Sequence, residues 1–508
     1  MATVNKKSFS YAKSGVTLLW LTLIAKFMAF GRELAIAAYF GSTRDTDSFF
    51  IAYGLIANIL YGLTAAFAVA FLPLYVEEKE RKGNNCAHSF AGQSILFFSV
   101  ASIVFSVAVF SFAGILTKII SPTVSIAQAE QITFFIRILT TGLIFSLLNS
   151  FACSLLDAER VYGNTAVSGI IYSTVIIIAA ILFSRIYGII TLVIAVCGAN
   201  LLQFAFSGLR CRKFIIPALP QKNDRRLWNM LLISLPILLS NTTVEINQVL
   251  NRALAVNLGQ GVVSAFSYAS TLAVFVTSTF VYSLVTMFFT EFSKAACADN
   301  ADEKISKLLR IALNLLVMVL VPVTVISFIC AEDIVTIALK RGKFTIEDVH
   351  VTASGLRWLA LGFLAIVVKA LFTKCFIALK NTRTPMAVSI CEVALNIILA
   401  LLLYRKFRIS GIAAASSIAN VCAAAFLLLL LWKKIRQQII IYSFNYTVII
   451  TVSIAALIIL LPVLQTYLAD MIPWVRFPLM AAAGFICFAP MYLYFFKNYR
   501  KKHTLQGL

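Results

Sequence analysis

Charge is scarce in this chain, and negative charge scarcest. Asp, Glu, Lys and Arg make up 13% of the 508 residues, about half the share of a soluble domain. Acids number 21 against 43 bases, for a formal net charge of +22. Together with a hydrophobic content of 61%, this excludes an ordinary soluble globular protein. Histidine is nearly absent, and none of His88, His350 and His503 has a metal-ligand neighbour. The ten cysteines form no CxxC pair and mostly fall inside apolar runs, so neither a disulfide framework nor a zinc site is indicated. There is no Walker A motif, no GxSxG and no HExxH. The expectation is a protein that is not an enzyme, with no catalytic residues, metal or cofactor. Its energy would come from the membrane potential, an ion gradient or the substrate's own gradient.

What is abundant is long apolar sequence. Runs of roughly 17–25 residues predict fourteen membrane helices, near 15–40, 47–75, 90–116, 131–156, 164–184, 187–209, 229–255, 262–290, 309–330, 352–378, 385–404, 411–432, 442–464 and 475–496. The basic, polar N-terminus lacks a small-residue cleavage site before the first run, so it is expected to remain on the protein. With both termini inside, Lys and Arg of the inner segments outnumber those of the outer loops by more than two to one. That is the positive-inside pattern. The basic charge therefore reads as topology and contact with anionic membrane lipids, and no nucleic-acid partner is expected.

The most basic inner segment, RCRKFIIPALPQKNDRR at 210–226, carries Pro217 and Pro220 and predicts a linker. The expected fold is an all-α polytopic membrane protein: two six-helix bundles around a central cavity, plus two C-terminal helices. The N-terminal bundle covers 1–213, the linker 214–228 and the C-terminal bundle 229–436. The last two helices and a basic tail occupy 437–508. A faint echo supports the repeat: Arg32-x-Leu34-Ala35 in one half and Arg252-x-Leu254-Ala255 in the other.

A few charges lie within the apolar spans. Lys26, Arg32 and Glu33 fall in the first, and Asp47 at the mouth of the second. A charge at membrane depth costs at least about 2.5–3.5 kcal/mol and normally faces an internal cavity. Snorkelling to the interface is the bland alternative, and suits Asp47 and Arg32 better than Lys26. Span seven carries Asn241, Glu245, Gln248 and Arg252 on one helix face, flanked by Thr242 and Asn251. Such a stripe reads as a cavity wall, or as hydrogen bonding between helices. Helix packing is the expectation for Asn200, Gln203 and Ser207 in span six, and for Ser389, Glu392 and Asn396 in span eleven. Lys369 is a cavity candidate; Lys374, Arg137 and Arg357 are expected to snorkel. Lys26, Arg32, Arg252 and Lys369 together would attract an anion, and phosphate suits them. Glu33, Glu245 and Glu392 could pair with these cations or bind a coupling ion.

These residues resemble the MurJ (MviN) family of lipid II flippases, in the multidrug/oligosaccharidyl-lipid/polysaccharide exporter superfamily. Gly31-Arg32-Glu33, Phe40-Gly41 and Thr46-Asp47-Ser48-Phe49-Phe50 are similar to the family's opening motif. Phe71-Leu72-Pro73, Pro236 through Asn247-Gln248, Tyr268-Ala269, Arg341-Gly342-Lys343-Phe344 and Ala378 through Pro385 resemble its later motifs in the same order. The resemblance implies movement of an undecaprenyl-linked peptidoglycan precursor from inner to outer leaflet of a bacterial plasma membrane by alternating access. It implies a cationic cavity for the head group, and cell-wall synthesis proteins as further partners. Arg32 matches an essential family arginine, Asp47 its neighbouring aspartate, and Lys26 stands where many members have arginine. Two family arginines are missing, from Ala57–Gly62 and from Tyr268-Ala269-Ser270-Thr271-Leu272. That leaves another polyprenyl-linked glycan, an exopolysaccharide or O-antigen unit, as the alternative cargo. A cation-coupled drug antiporter and a non-transporting cell-wall scaffold are more distant readings.

Overall fold

The computed structural model describes residues 2–219, 226–227, 230, 232, 245, 247–280, 284–297, 300–435, 444–490 and 492–493, with side chains except at 2–16, 19, 58–69 and 444–451. Every regular element among the described residues is a helix. The N-terminal helices are α1 (Ala2–Phe40), α2 (Arg44–Lys82), α3 (Asn84–Ile120), α4 (Ile126–Ala158), α5 (Asn164–Tyr187) and α6 (Ile190–Cys211). Then come α7 (247–256), α8 (Val262–Phe280), α9 (Thr286–Ala295), α10 (Ala301–Ile329), α11 (Ala331–Leu339) and α12 (Ile346–Ala360). The last are α13 (Phe363–Ala378), α14 (Arg383–Ile435), α15 (Phe444–Tyr467) and α16 (Pro473–Cys487).

Among the described residues, seven helices are long and apolar enough to cross a membrane, and one bent pair makes an eighth. This is a polytopic membrane protein. The bent pair, α12 and α13, meets at 43° and contains the span expected over 352–378. The expected spans 385–404 and 411–432 share one helical run, α14, whose backbone breaks at Arg408 (φ 53°, ψ −133°). The close division between spans five and six is a turn at Gly188, whose φ of 57° suits a residue without a β-carbon.

Two compact units form. The first comprises Met1–Ser264 with the short segment Arg341–Phe344, the second Ala265–Lys340 with Thr345–Leu508. In the first unit α4 packs on α6, α2 and α3, and α5 on α6 and α1. Small residues allow this: a β-carbon on Gly142 of α4 would press at 3.2 Å on the Cα of Cys197 of α6. Close backbone approach is the usual source of helix association in lipid, where apolar burial drives nothing. An aromatic cluster closes one end, with Phe71 centred 4.8 Å from Phe151 and 5.8 Å from Phe90.

In the second unit α13 and α12 pack on α14, and α10 meets α9, α12, α13, α15 and α16. Phe292, Leu309, Leu371 and Phe376 are fully buried at its centre. Met318, Ile326, Leu457 and Met480 join α15 and α16 to α10. Arg476 of α16 shares its Nε–H between the two oxygens of the buried Asp333 carboxylate, at 3.1 and 3.0 Å.

Candidate functional site

The first unit holds an open cavity of about 400 Å³. Five helices each give it one face. Ser146, Asn149, Ser150 and Cys153 of α4 are spaced 3, 1 and 3 residues apart, and Thr165, Ser168, Tyr172 and Ser173 of α5 repeat a helical spacing. Asn200 and Gln203 come from α6, Tyr53 from α2 and Arg32 from α1. The wall mixes hydroxyl and amide groups with small apolar side chains, and Arg32 is its one formal charge among the described residues. A cation beside uncharged hydroxyls and amides suits an anionic group attached to a hydroxyl-rich one.

Arg32 is held from two sides. Its Nε and Nη2 donate to Glu33 Oε1 at 3.1 and 2.7 Å. The guanidinium carbon lies 5.3 Å from the centre of the Tyr172 ring, a cation–π distance. The Tyr172 hydroxyl lies 3.2 Å from that of Tyr53. Glu33 itself is buried. Arg32 lines the chamber. Lys26 is half-buried one position off this face and does not line the chamber among the described residues.

Arg252 of α7 lies against Gly54 of α2, where a β-carbon would overlap its guanidinium. Its Nη1 is buried and has no hydrogen-bond partner among the described residues. It interacts electrostatically with Tyr53, Glu245 and Glu33. Arg32 and Arg252 therefore share the field of one carboxylate, Glu33. Glu245 is half-buried and Gln248 exposed. Asn241, Thr242 and Pro236 lie outside the described residues, as do linker residues 220–225 and tail residues 494–508.

Asp47 is buried among protein groups and does not reach out to solvent as snorkelling would require. Its carboxylate accepts from the backbone N–H of Gly261 at 2.6 Å, and from the N–H and hydroxyl of Ser264, each at 2.7 Å. It caps the start of α8 with negative charge, where a helix N-terminus favours it. Gly261, at φ 80°, presses on the carbonyl of Ser42. Nearby, the N–H of Lys343 donates to the Ala38 carbonyl at 2.8 Å.

Lys369 and Glu392 belong to the second unit. Lys369 Nζ donates to Glu392 Oε1 at 2.6 Å and to Asn420 Oδ1 at 2.7 Å. Asn396 is buried and accepts from the Ser416 hydroxyl at 3.3 Å. Within the first unit the candidates fall into two groups, Arg32, Glu33, Glu245 and Arg252, and Asp47 with the start of α8; within the second, Lys369 pairs with Glu392.

Asn200 lines the cavity, although helix packing was expected of it, and Gln203 does both, lining the cavity and donating to the Ser168 carbonyl of α5 at 2.8 Å. Ser207 does pack, accepting from buried Asn164 at 2.9 Å. The residues missed were the uncharged ones of α4 and α5 and the two tyrosines. Their signal was a helical repeat of small polar residues in otherwise apolar runs.

The description "Lipid II flippase MurJ" belongs to the family model that matches residues 36–476. A "Probable lipid II flippase MurJ" of Rickettsia prowazekii (strain Madrid E) is 28% identical over 414 residues, covering 80% of this chain and 81% of that one. A solved structure titled "Lipid II flippase MurJ, inward closed conformation" superposes with a TM-score of 0.78 at 20% identity, over 94% of this chain and 98% of that one. An inward-facing multidrug resistance MATE family transporter shares the fold, with a TM-score of 0.70 at 13% identity over 83% of this chain and 98% of that one.

Proposed function

The chain belongs to the lipid II flippase MurJ family, and on that premise we propose that it carries lipid II from the inner to the outer leaflet of a bacterial plasma membrane. It is a transporter, not an enzyme. The observation that carries the reading is the buried Arg252 Nη1, a charged donor with no acceptor among the described residues. Such a donor costs about 1–3 kcal/mol, and a pyrophosphate oxygen would offset that cost.

In this reading Arg32 and Arg252 take the pyrophosphate, with Glu33 exchanging one guanidinium for the other as the anion arrives and leaves. The amide and hydroxyl wall, with Tyr53 and Tyr172, receives the sugar head. Lys26, Gln248 and Lys369 add further contacts along the path, and Glu245 and Glu392 serve as partners for the cations or a coupling ion. Asp47 supports the site by tying the α1–α2 turn to the start of α8. Access alternates between leaflets, driven by the membrane potential or an ion gradient. The fourteen-helix plan, with bundles at 1–213 and 229–436, both termini cytoplasmic and cell-wall synthesis proteins as partners, completes the proposal.

The test is binding by the purified chain. Lipid II should bind, with affinity reduced about ten-fold by Arg252→Gln, a loss of roughly 1.4 kcal/mol. Tighter binding of another undecaprenyl-linked glycan would move the assignment to that cargo. Binding of neither would contradict it.

A further inference from the structure

A second cavity, of about 780 Å³, opens between the C-terminal end of α3 and the first turns of α4. It shares no lining residue with the polar chamber. Lys118 and Arg137 line it, with Glu130 its one acid. Neither cation has an ion-pair partner among the described residues, and both are exposed. Arg137 sits three turns into the apolar span of α4. An exposed arginine there faces lipid, so it needs an anion or a route to water.

The structure shows where its guanidinium goes. It lies 5.5 Å from the centre of the Phe110 ring, two turns below Lys118 on α3. The two cations therefore border one cavity at different depths. Ser121, also in the wall, is buried with its hydroxyl unpartnered among the described residues. The Thr117 and Thr133 hydroxyls bond each other at 3.0 Å and brace the two helices. Around the opening, Ile115, Ile119, Ile126 and Phe134 are exposed, a surface suited to acyl chains.

We propose that this cavity is a binding site for the headgroup of an anionic membrane phospholipid. The phosphodiester lies between Lys118 and Arg137, the Ser121 hydroxyl donates to the headgroup, and the acyl chains run down the exposed faces of α3 and α4. Arginine and lysine recognise phosphate by charge-assisted hydrogen bonds, basic pockets between membrane helices take anionic headgroups, and the volume is that of a small-ligand pocket. The site does not depend on which glycan is transported.

Native mass spectrometry of the purified full chain tests this, with phosphatidylglycerol and phosphatidylcholine titrated separately. The wild type should prefer phosphatidylglycerol, and the double variant K118Q/R137Q should bind it about ten-fold more weakly. Glu130→Gln, which keeps both cations and removes the acid, should tighten binding about three-fold. That variant carries the test if the double variant fails to fold. Equal retention of the two lipids by the wild type, or phosphatidylglycerol binding unchanged in the variants that fold, would overturn the proposal. Displacement of the lipid by millimolar inorganic phosphate would overturn it in favour of a free-anion site.

Discussion

Arg252 occupies its place only because residue 54 is glycine: a β-carbon there would overlap Nη1 and crowd the guanidinium carbon. Gly54→Ala should therefore displace the arginine without touching any charged group. Lipid II transport should fall at least about ten-fold, a change of roughly 1.4 kcal/mol. Gly31→Ala is the control, since its β-carbon would meet nothing nearer than Ile177 Cδ1 at 4.0 Å. A mid-helix glycine replaced by alanine gains about 0.5–1 kcal/mol, so this variant should transport normally with unchanged or raised thermal stability. Outer-leaflet lipid II and thermal unfolding in detergent, measured on both variants, check the pair.

Arg32 works through its planar fork as well as its charge. Two of its nitrogens reach one Glu33 oxygen while its face lies on Tyr172. Lysine keeps the charge and loses both features. Arg32→Lys should lower transport about ten-fold, whereas Tyr172→Phe, which keeps the ring, should stay within about two-fold of the wild type. The comparison is made by transport assay at matched expression.

Asp47 holds three donors from the start of α8. Asp47→Asn removes the charge that those donors were satisfying. The loss should be at least about 1.5–3 kcal/mol, the worth of a hydrogen bond to a charged group. Ser264→Ala, which deletes one donor of the three, should cost about 1 kcal/mol. Thermal unfolding of the two variants and their combination should show the two losses to be less than additive, because they share one carboxylate.

Glu159, in the turn after α4, gives the protein a pH dependence. Burial works against its charge, but hydrogen bonds from Lys79 and Tyr75 and the nearby Lys79 charge outweigh it, holding the carboxyl below its usual range. Lys79 Nζ reaches both carboxylate oxygens at 2.7 Å, and the Tyr75 hydroxyl reaches one at 2.6 Å. A carboxyl whose pKa is depressed on folding contributes stability that is present at neutral pH and lost as pH falls through the folded-state value. Unfolding temperatures measured from neutral pH into the acid range should fall in the wild type. In Glu159→Gln they should start lower and fall less steeply.

Much of this architecture is legible in the residues because lipid imposes a simple rule: polar groups must be satisfied inside the chain. Arg32 and Arg252 stand out for that reason. The uncharged wall of the chamber was harder to see. Asn200 and Gln203 line the cavity on the face they share with Ser207, while Gln203 and Ser207 also hydrogen-bond across to α5. Spacing alone cannot separate a wall from a seam, since both put small polar residues on one helix face. Asp47 was harder to place for a different reason. Its partners lie more than two hundred residues away, at Gly261 and Ser264, and a turn at the end of a span looks exposed until the segment that covers it is known. The bend between α12 and α13 is likewise a backbone event inside an apolar run, whereas the break at Arg408 falls in the basic stretch Arg405–Arg408 that divides the expected spans 385–404 and 411–432.

The most direct measurement of the central claim is transport in a cell. The chain is expressed in a bacterium whose own lipid II flippase can be depleted, and outer-leaflet lipid II is assayed alongside growth. The account predicts that the wild type restores both, and that Arg252→Gln at equal expression restores neither. A correctly inserted wild-type chain that leaves lipid II in the inner leaflet, or an Arg252→Gln variant that moves it as well as the wild type does, would contradict the account.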